Sequence, residues 1–202
     1  MPRTRQSSRS TSPIVRSSDN EPLILVDERN RAVGTGGKLD VHRAGLLHRA
    51  FSIFIVDGSG RILLQQRNRR KYHSGGLWAN SCCGHPRPGE RTLAAARRRL
   101  GEELGITPSL TFGFFARYEA GLDHGLRENE FVYVYFGRLR LPAQPNPAEV
   151  SQIESVEIRR LAQRIKTAPN TFAYWLQHYF RHHRAQIERC GKQMAALPDF
   201  MT

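Results

Sequence analysis

One stretch constrains the fold more than any other: "WANSCCGHPRPGERTLAAARRRLGEELGI", from Trp78 to Ile106. After a Gly- and Pro-rich turn, Leu93, Ala96, Leu100 and Leu104 recur at helical spacing, and Gly105 supplies the stop. A helix is therefore predicted over about Arg91–Leu104. At about 100° per residue, Arg99 and Glu103 share one edge of its apolar stripe. Arg98 and Glu102 lie further toward solvent as a supporting i,i+4 pair. A helix that buries one stripe needs a partner layer, and the flanking segments supply strands.

Structure should begin near Pro22 with "PLILVD". In "HRAFSIFIVDGSGRILLQQR", Phe51, Ile53 and Ile55 alternate on one face and "DGSG" turns the chain, which reads as a hairpin. "SLTFGFFARYEA" and "NEFVYVYFGRLRL" are rich in aromatic and β-branched residues and read as strands. "SVEIRRL" reads as a last strand entering a short helix. "TFAYWLQHYFRHHRAQIERC" reads as helical from Phe172, Trp175, Leu176 and Tyr179. Strands, helix, strands, helix gives an α/β (α+β) class, a mixed β-sheet covered by helices on both faces.

The 202 residues carry 31 Lys and Arg against 18 Asp and Glu, a net charge of +13. Such an excess favours an anionic partner: nucleic acid, a membrane surface or a phosphorylated small molecule. No run approaches the 18 or more apolar residues of a spanning helix. Residues 1–20 are basic and Ser-rich without the apolar core of a signal peptide, and read as a disordered tail, with a transit peptide as the alternative. Cys82, Cys83 and Cys190 form no readable disulfide framework, which suits a reducing, cytoplasmic setting.

Gly84, five residues, Glu90, seven residues, then "RRLGEELGI" resembles the Nudix box, in which a loop and helix present carboxylates to a divalent cation on a diphosphate. Arg99 stands where Nudix hydrolases often carry a metal-binding glutamate. That departure counts against hydrolysis and not against diphosphate binding. "KLDVHRAGLLHRAFS", "NSCCGHP" and "RENEF" together resemble the type I isopentenyl-diphosphate delta-isomerases, over about Lys38 to Trp175.

The resemblance implies an α/β/α Nudix sandwich over residues 21–184, followed by a C-terminal extension at 185–202. It implies a centre of His42, His48, His85, Glu128 and Glu130 for Mn²⁺ or Zn²⁺ (Fe²⁺ also suits these donors). Mg²⁺ would sit with Glu103 and the substrate diphosphate, and Lys38, Arg67, Lys71 and Arg99 would surround the phosphates. Cys83 and Glu130 would be the acid/base pair, with Tyr118 beside Glu130 and Trp175 against the developing carbocation. Cys82 and Cys190 carry no role. Gly75 stands where relatives often have proline.

The activity implied is interconversion of isopentenyl and dimethylallyl diphosphate. The expected partner is that small molecule, with no nucleic acid and no membrane, in a monomer or a dimer. Two other classes stay open: a Nudix hydrolase of nucleoside diphosphate derivatives, and a basic nucleic-acid module built on a Cys/His zinc knot. The knot lacks a second ligand pair at finger spacing. An inactive relative is the remaining alternative.

Overall fold

The computed structural model describes residues 21–71 and 73–198. The expectation for the basic tail at 1–20 falls outside them. Nine strands form one mixed sheet: β1 (Pro22–Val26), β2 (Ala32–Gly37), β3 (His48–Val56), β4 (Arg61–Arg67), β5 (Trp78–Ala79), β6 (Cys82–Gly84), β7 (Leu110–Gly121), β8 (Arg127–Arg138) and β9 (Val150–Glu157). The helices are α1 (Lys38–Ala44), α2 (Thr92–Leu104), α3 (Ile158–Thr167), α4 (Tyr174–His182) and α5 (Arg184–Ala195).

β3 is the central strand, and its composition says why. "AFSIFIV" is buried at every position, as a strand covered on both faces must be. Phe51, Ile53 and Ile55 pack with Ala95, Ala96, Leu100 and Leu104 of α2. Ala50, Phe54 and Val56 face the opposite layer, with Leu161 of α3, Trp175, Leu176 and Tyr179 of α4, and Ile187 and Met194 of α5. Each fully buried leucine in these layers contributes about 1.5–3 kcal/mol. α2 ends at Gly105, whose φ of 64° is the left-handed conformation that glycine takes without a Cβ penalty.

The predicted hairpin is real but short. β3 and β4 pair only at Ile55–Leu63 and Val56–Ile62, then diverge. The segment Trp78–Gly84 enters the split, with β5 pairing to β4 and β6 to β3. The Ser81 hydroxyl closes the apex: it accepts from Ile55 N–H at 2.8 Å and donates to the Leu63 carbonyl at 2.6 Å. Buried backbone groups that the diverging strands leave over are thus satisfied by a side chain.

On its other edge β3 runs parallel to β8 for its whole length, and β7 pairs antiparallel to β8. One sequence expectation needs correcting. The stretch from Thr171 to Cys190 is not one helix, because His183 leaves helical geometry and separates α4 from α5. No Gly or Pro marks that break. It turns α5 back over the sheet, where Ile187, Cys190 and Met194 are buried.

Candidate active site

Parallel pairing places His48 level with Glu130, and antiparallel pairing places Tyr118 opposite Glu130 and Ala120 opposite Glu128. Since side chains two apart on a strand leave the same face, Glu128 and Glu130 both turn inward, where each is buried. His42 arrives from α1 and His85 from the turn after β6. The ligand atoms of His42, His48, His85 and Glu130 all lie within 4.8 Å of one another. His85 Nε2 is 3.0 Å and His48 Nε2 3.5 Å from Glu130 Oε1.

His42 and His48 each hold a backbone carbonyl with Nδ1, Lys38 O at 2.7 Å and Leu46 O at 2.8 Å. That bond fixes the tautomer and leaves Nε2 as the ligating nitrogen. Burial pushes His42 down to about 4 and His85 down to about 3, so both are neutral donors at physiological pH. Among the described residues His48 Nε2 is buried without a satisfied hydrogen bond, facing Glu130 Oε1 at 3.5 Å. A buried nitrogen so placed beside imidazoles and carboxylates fits a divalent cation.

Tyr118 OH is 2.7 Å from Glu130 Oε2 and 3.0 Å from Glu128 Oε2. One hydroxyl proton serves one of these contacts, and the two carboxyls divide accordingly. Burial, then the charge on Glu130, pushes Glu128 well above the usual carboxylate range. Burial also opposes charge on Glu130, but the imidazoles of His48 and His85 outweigh it and hold that group low. The Tyr118 hydroxyl is the donor shared between the two carboxyls, with its shorter bond to Glu130. Burial and both carboxylates keep the phenol protonated.

Cys83 and Cys82 alternate across β6 and face opposite layers. Cys82 packs among the α2-side core residues. Cys83 Sγ donates to Asn80 Oδ1 at 3.2 Å and is 3.3 Å from Ser52 Oγ, which is 2.8 Å from Tyr179 OH. Burial pushes the Cys83 thiol up to about 12, against those two hydrogen bonds. It is a protonated acid held in one orientation.

Cys83, Tyr118, Glu128, Glu130 and Trp175 line one cavity of about 460 Å³, which Lys38, Arg67, Lys71, Arg99 and Glu103 also line. The Arg67 guanidinium stands 5.2 Å over the Trp175 ring. Arg99 is paired with Glu102 at 2.7 Å and more closely with Glu103, whose other oxygen accepts from Gln65 at 2.9 Å. Lys71 is ion-paired to Glu149. Burial pushes Lys71 down to about 8, with Glu103 opposing. Arg98 belongs chiefly to Glu90, through bonds of 2.8 Å from both Nε and Nη2, and only weakly to the expected Glu102.

Sequence reasoning missed Ser52, Asn80, Gln65, Glu149, Tyr179 and His73. Ser52 and Gln65 had a signal, each being a polar residue inside an apolar strand pattern. The others had none, because nothing local says which side chain a distant element brings to the site.

Residues 46–179 match the NUDIX domain family. The chain is 46% identical over 157 residues to isopentenyl-diphosphate delta-isomerase 1 of Aromatoleum aromaticum, covering 78% of this chain and 89% of that protein. It is 44% identical over 171 residues to the isopentenyl-diphosphate delta-isomerase of Burkholderia multivorans, covering 85% and 93%. It is 48% identical over 156 residues to that of Serratia proteamaculans, covering 77% and 87%. In fold it is similar to the crystal structure of DR0079 from Deinococcus radiodurans, with a TM-score of 0.68 at 23% identity over 84% of this chain and 99% of that one. On these matches the chain belongs to the NUDIX family and, within it, to the isopentenyl-diphosphate delta-isomerases.

Proposed function

We infer that this enzyme interconverts isopentenyl and dimethylallyl diphosphate, a 1,3 shift of a carbon–carbon double bond. The observation that carries the mechanism is that two separately held proton-bearing groups, Cys83 on β6 and the Tyr118–Glu130 pair on β7 and β8, line one cavity. An unactivated alkene is a poor base, so it must be held against an acid away from water. One group delivers a proton to the terminal alkene carbon, leaving positive charge on the tertiary carbon. The other accepts a proton from the neighbouring methylene, and the double bond forms there. Cys83 serves one side and Glu130 the other, with Tyr118 relaying the Glu130 proton.

Lys38, Arg67, Lys71 and Arg99 hold the diphosphate. Glu149 and Glu103 occupy Lys71 and Arg99 until the phosphates exchange with them. Trp175, positioned by Arg67, presents its ring to the cavity and stabilises charge on the C5 tail.

His42, His48, His85, Glu128 and Glu130 would hold Mn²⁺ or Zn²⁺, and Glu103 would meet Mg²⁺ brought by the diphosphate. A cation bound at the first centre lowers the proton affinity of the Glu130 carboxyl. The low position of Glu130 in the chain alone already points the same way.

Purified protein with Mg²⁺ and Mn²⁺ would be incubated with isopentenyl diphosphate in D₂O and followed by NMR, beside Cys83→Ala. Deuterated dimethylallyl diphosphate from the native enzyme and none from the variant is the expected result. Free phosphate without isomer would instead indicate a hydrolase.

A further inference from the structure

His73 belongs to no motif. It sits in the loop between β4 and β5, three residues before Gly76, yet it is only 6% exposed. Its ligand nitrogen, that of His42 and a carboxylate oxygen of Glu128 all lie within 4.8 Å of one another. That group shares His42 with the cluster of His42, His48, His85 and Glu130. The Nδ1 of His42 is held by the Lys38 carbonyl, so Nε2 is its one ligating atom. A single imidazole nitrogen binds a single cation. The two groups are therefore halves of one centre.

We propose that His73 is a sixth donor of this centre, so that His42, His48, His73, His85, Glu128 and Glu130 enclose one divalent cation. The proposal rests on reading the histidine–glutamate cluster as a cation site. Metal–nitrogen bonds of about 2.1 Å put donors on one octahedral ion about 3 to about 4.2 Å apart. Three donor separations fall in that range: 3.0 Å for His85–Glu130, 3.5 Å for His48–Glu130 and 3.8 Å for His73–Glu128.

The imidazole is also aimed. Its Nδ1 lies 3.2 Å from Ser74 Oγ, which leaves Nε2 toward Glu128. The peptide unit that follows it is tied at both polar groups, by Arg67 Nη2 to the His73 carbonyl at 3.3 Å and by Ser74 N–H to Asp123 Oδ2 at 3.1 Å. Trp175 packs edge-on against the ring, with centroids 6.1 Å apart.

Two consequences follow from a sixth protein donor. Four imidazoles favour a borderline ion over Mg²⁺, and a centre filled by protein leaves no position for substrate. The cation then acts on the proton-carrying carboxylates alone. His73 also lies on the loop that carries Lys71, so filling the centre fixes one wall of the diphosphate site.

Pulsed EPR of the full-length protein loaded with Mn²⁺, without substrate, reads the number of imidazole nitrogens on the ion. Four in the native protein, three in His73→Gln, and Mn²⁺ affinity lowered at least about tenfold in that variant are expected. Three nitrogens in the native protein overturn the proposal even if His73→Gln does not fold. So does a His73→Gln protein that keeps native affinity while His48→Ala loses it. If His48→Ala also binds Mn²⁺ as the native protein does, the reading of the cluster as a cation site fails, and the sixth donor with it.

Discussion

His48 and Glu130 stand level on neighbouring parallel strands, with Nε2 and Oε1 3.5 Å apart. Tyr118 faces Glu130 from the far side, so three strands deliver three polar side chains to one rung. Strand pairing has a period of two, and slipping β3 against β8 by one residue would turn this set away from the cavity. The chemistry depends on register, which the surrounding core enforces.

Tyr118→Phe keeps the buried ring and removes the hydroxyl between Glu128 and Glu130. Turnover should fall by about 10²–10⁴. Thermal unfolding should shift little beyond the loss of one hydrogen bond, about 1 kcal/mol. Steady-state kinetics beside a melting curve checks both. A variant that is unstable but active per folded molecule would assign the hydroxyl to structure.

Cys83 carries a thiol pushed up to about 12. Thiolate is the species that alkylates, so iodoacetamide at pH 8 should label Cys83 at least about a hundredfold more slowly than the unfolded chain. The rate should climb steadily with pH above 9. Mass spectrometry of peptides from native protein reads this directly, and rapid labelling at pH 8 would contradict it.

Lys71 is charged below about pH 8 in the free enzyme and loses its proton as pH rises through that value. A diphosphate binds the charged form. Affinity for inorganic diphosphate should therefore weaken as pH climbs from 7 to 9, by more than the ligand's own ionisation accounts for. In Lys71→Arg, whose guanidinium stays protonated, the excess dependence should vanish. Calorimetric titration of both proteins across that range provides the comparison.

Arg98 and Arg99 are neighbours on α2 with separate duties. Arg98→Ala breaks the bidentate pair with Glu90, which is about one-fifth exposed, and should cost about 1 kcal/mol of stability with kcat nearly unchanged. Arg99→Ala should raise KM at least about tenfold, because Arg99 lines the cavity in which the diphosphate is proposed to bind and bridges Glu102 and Glu103. Exchange of these two phenotypes would reverse the assignment.

Gly75 is a close approach. A Cβ there would meet the Arg69 carbonyl oxygen at 2.6 Å. Gly75→Ala, and the proline expected at this position in relatives, should force the loop outward at a cost of about 1–3 kcal/mol. Diphosphate affinity should fall as Arg67 and Lys71 move. Unchanged binding by Gly75→Pro would mean the loop accommodates both shapes.

What the sequence settled by itself was local. The spacing of Leu93, Ala96, Leu100 and Leu104 with Gly105 specifies α2, since helical periodicity and a left-handed cap need only neighbouring residues. Alternation puts Glu128 and Glu130 on one face of β8, and the resemblance of "NSCCGHP" and "RENEF" to the family picks out Cys83, His85, Glu128 and Glu130, which line one cavity. What only the tertiary structure decided was convergence. The divergence of β3 from β4, with Ser81 at its apex, arises from pairing among segments far apart in the chain. The alignment of Ser52 and Asn80 on Cys83, the pairing of Lys71 with Glu149, and the turn of His73 toward Glu128 are likewise contacts between separate elements. Such contacts have no period and no local signature, because burial and register, rather than neighbouring residues, bring their partners together.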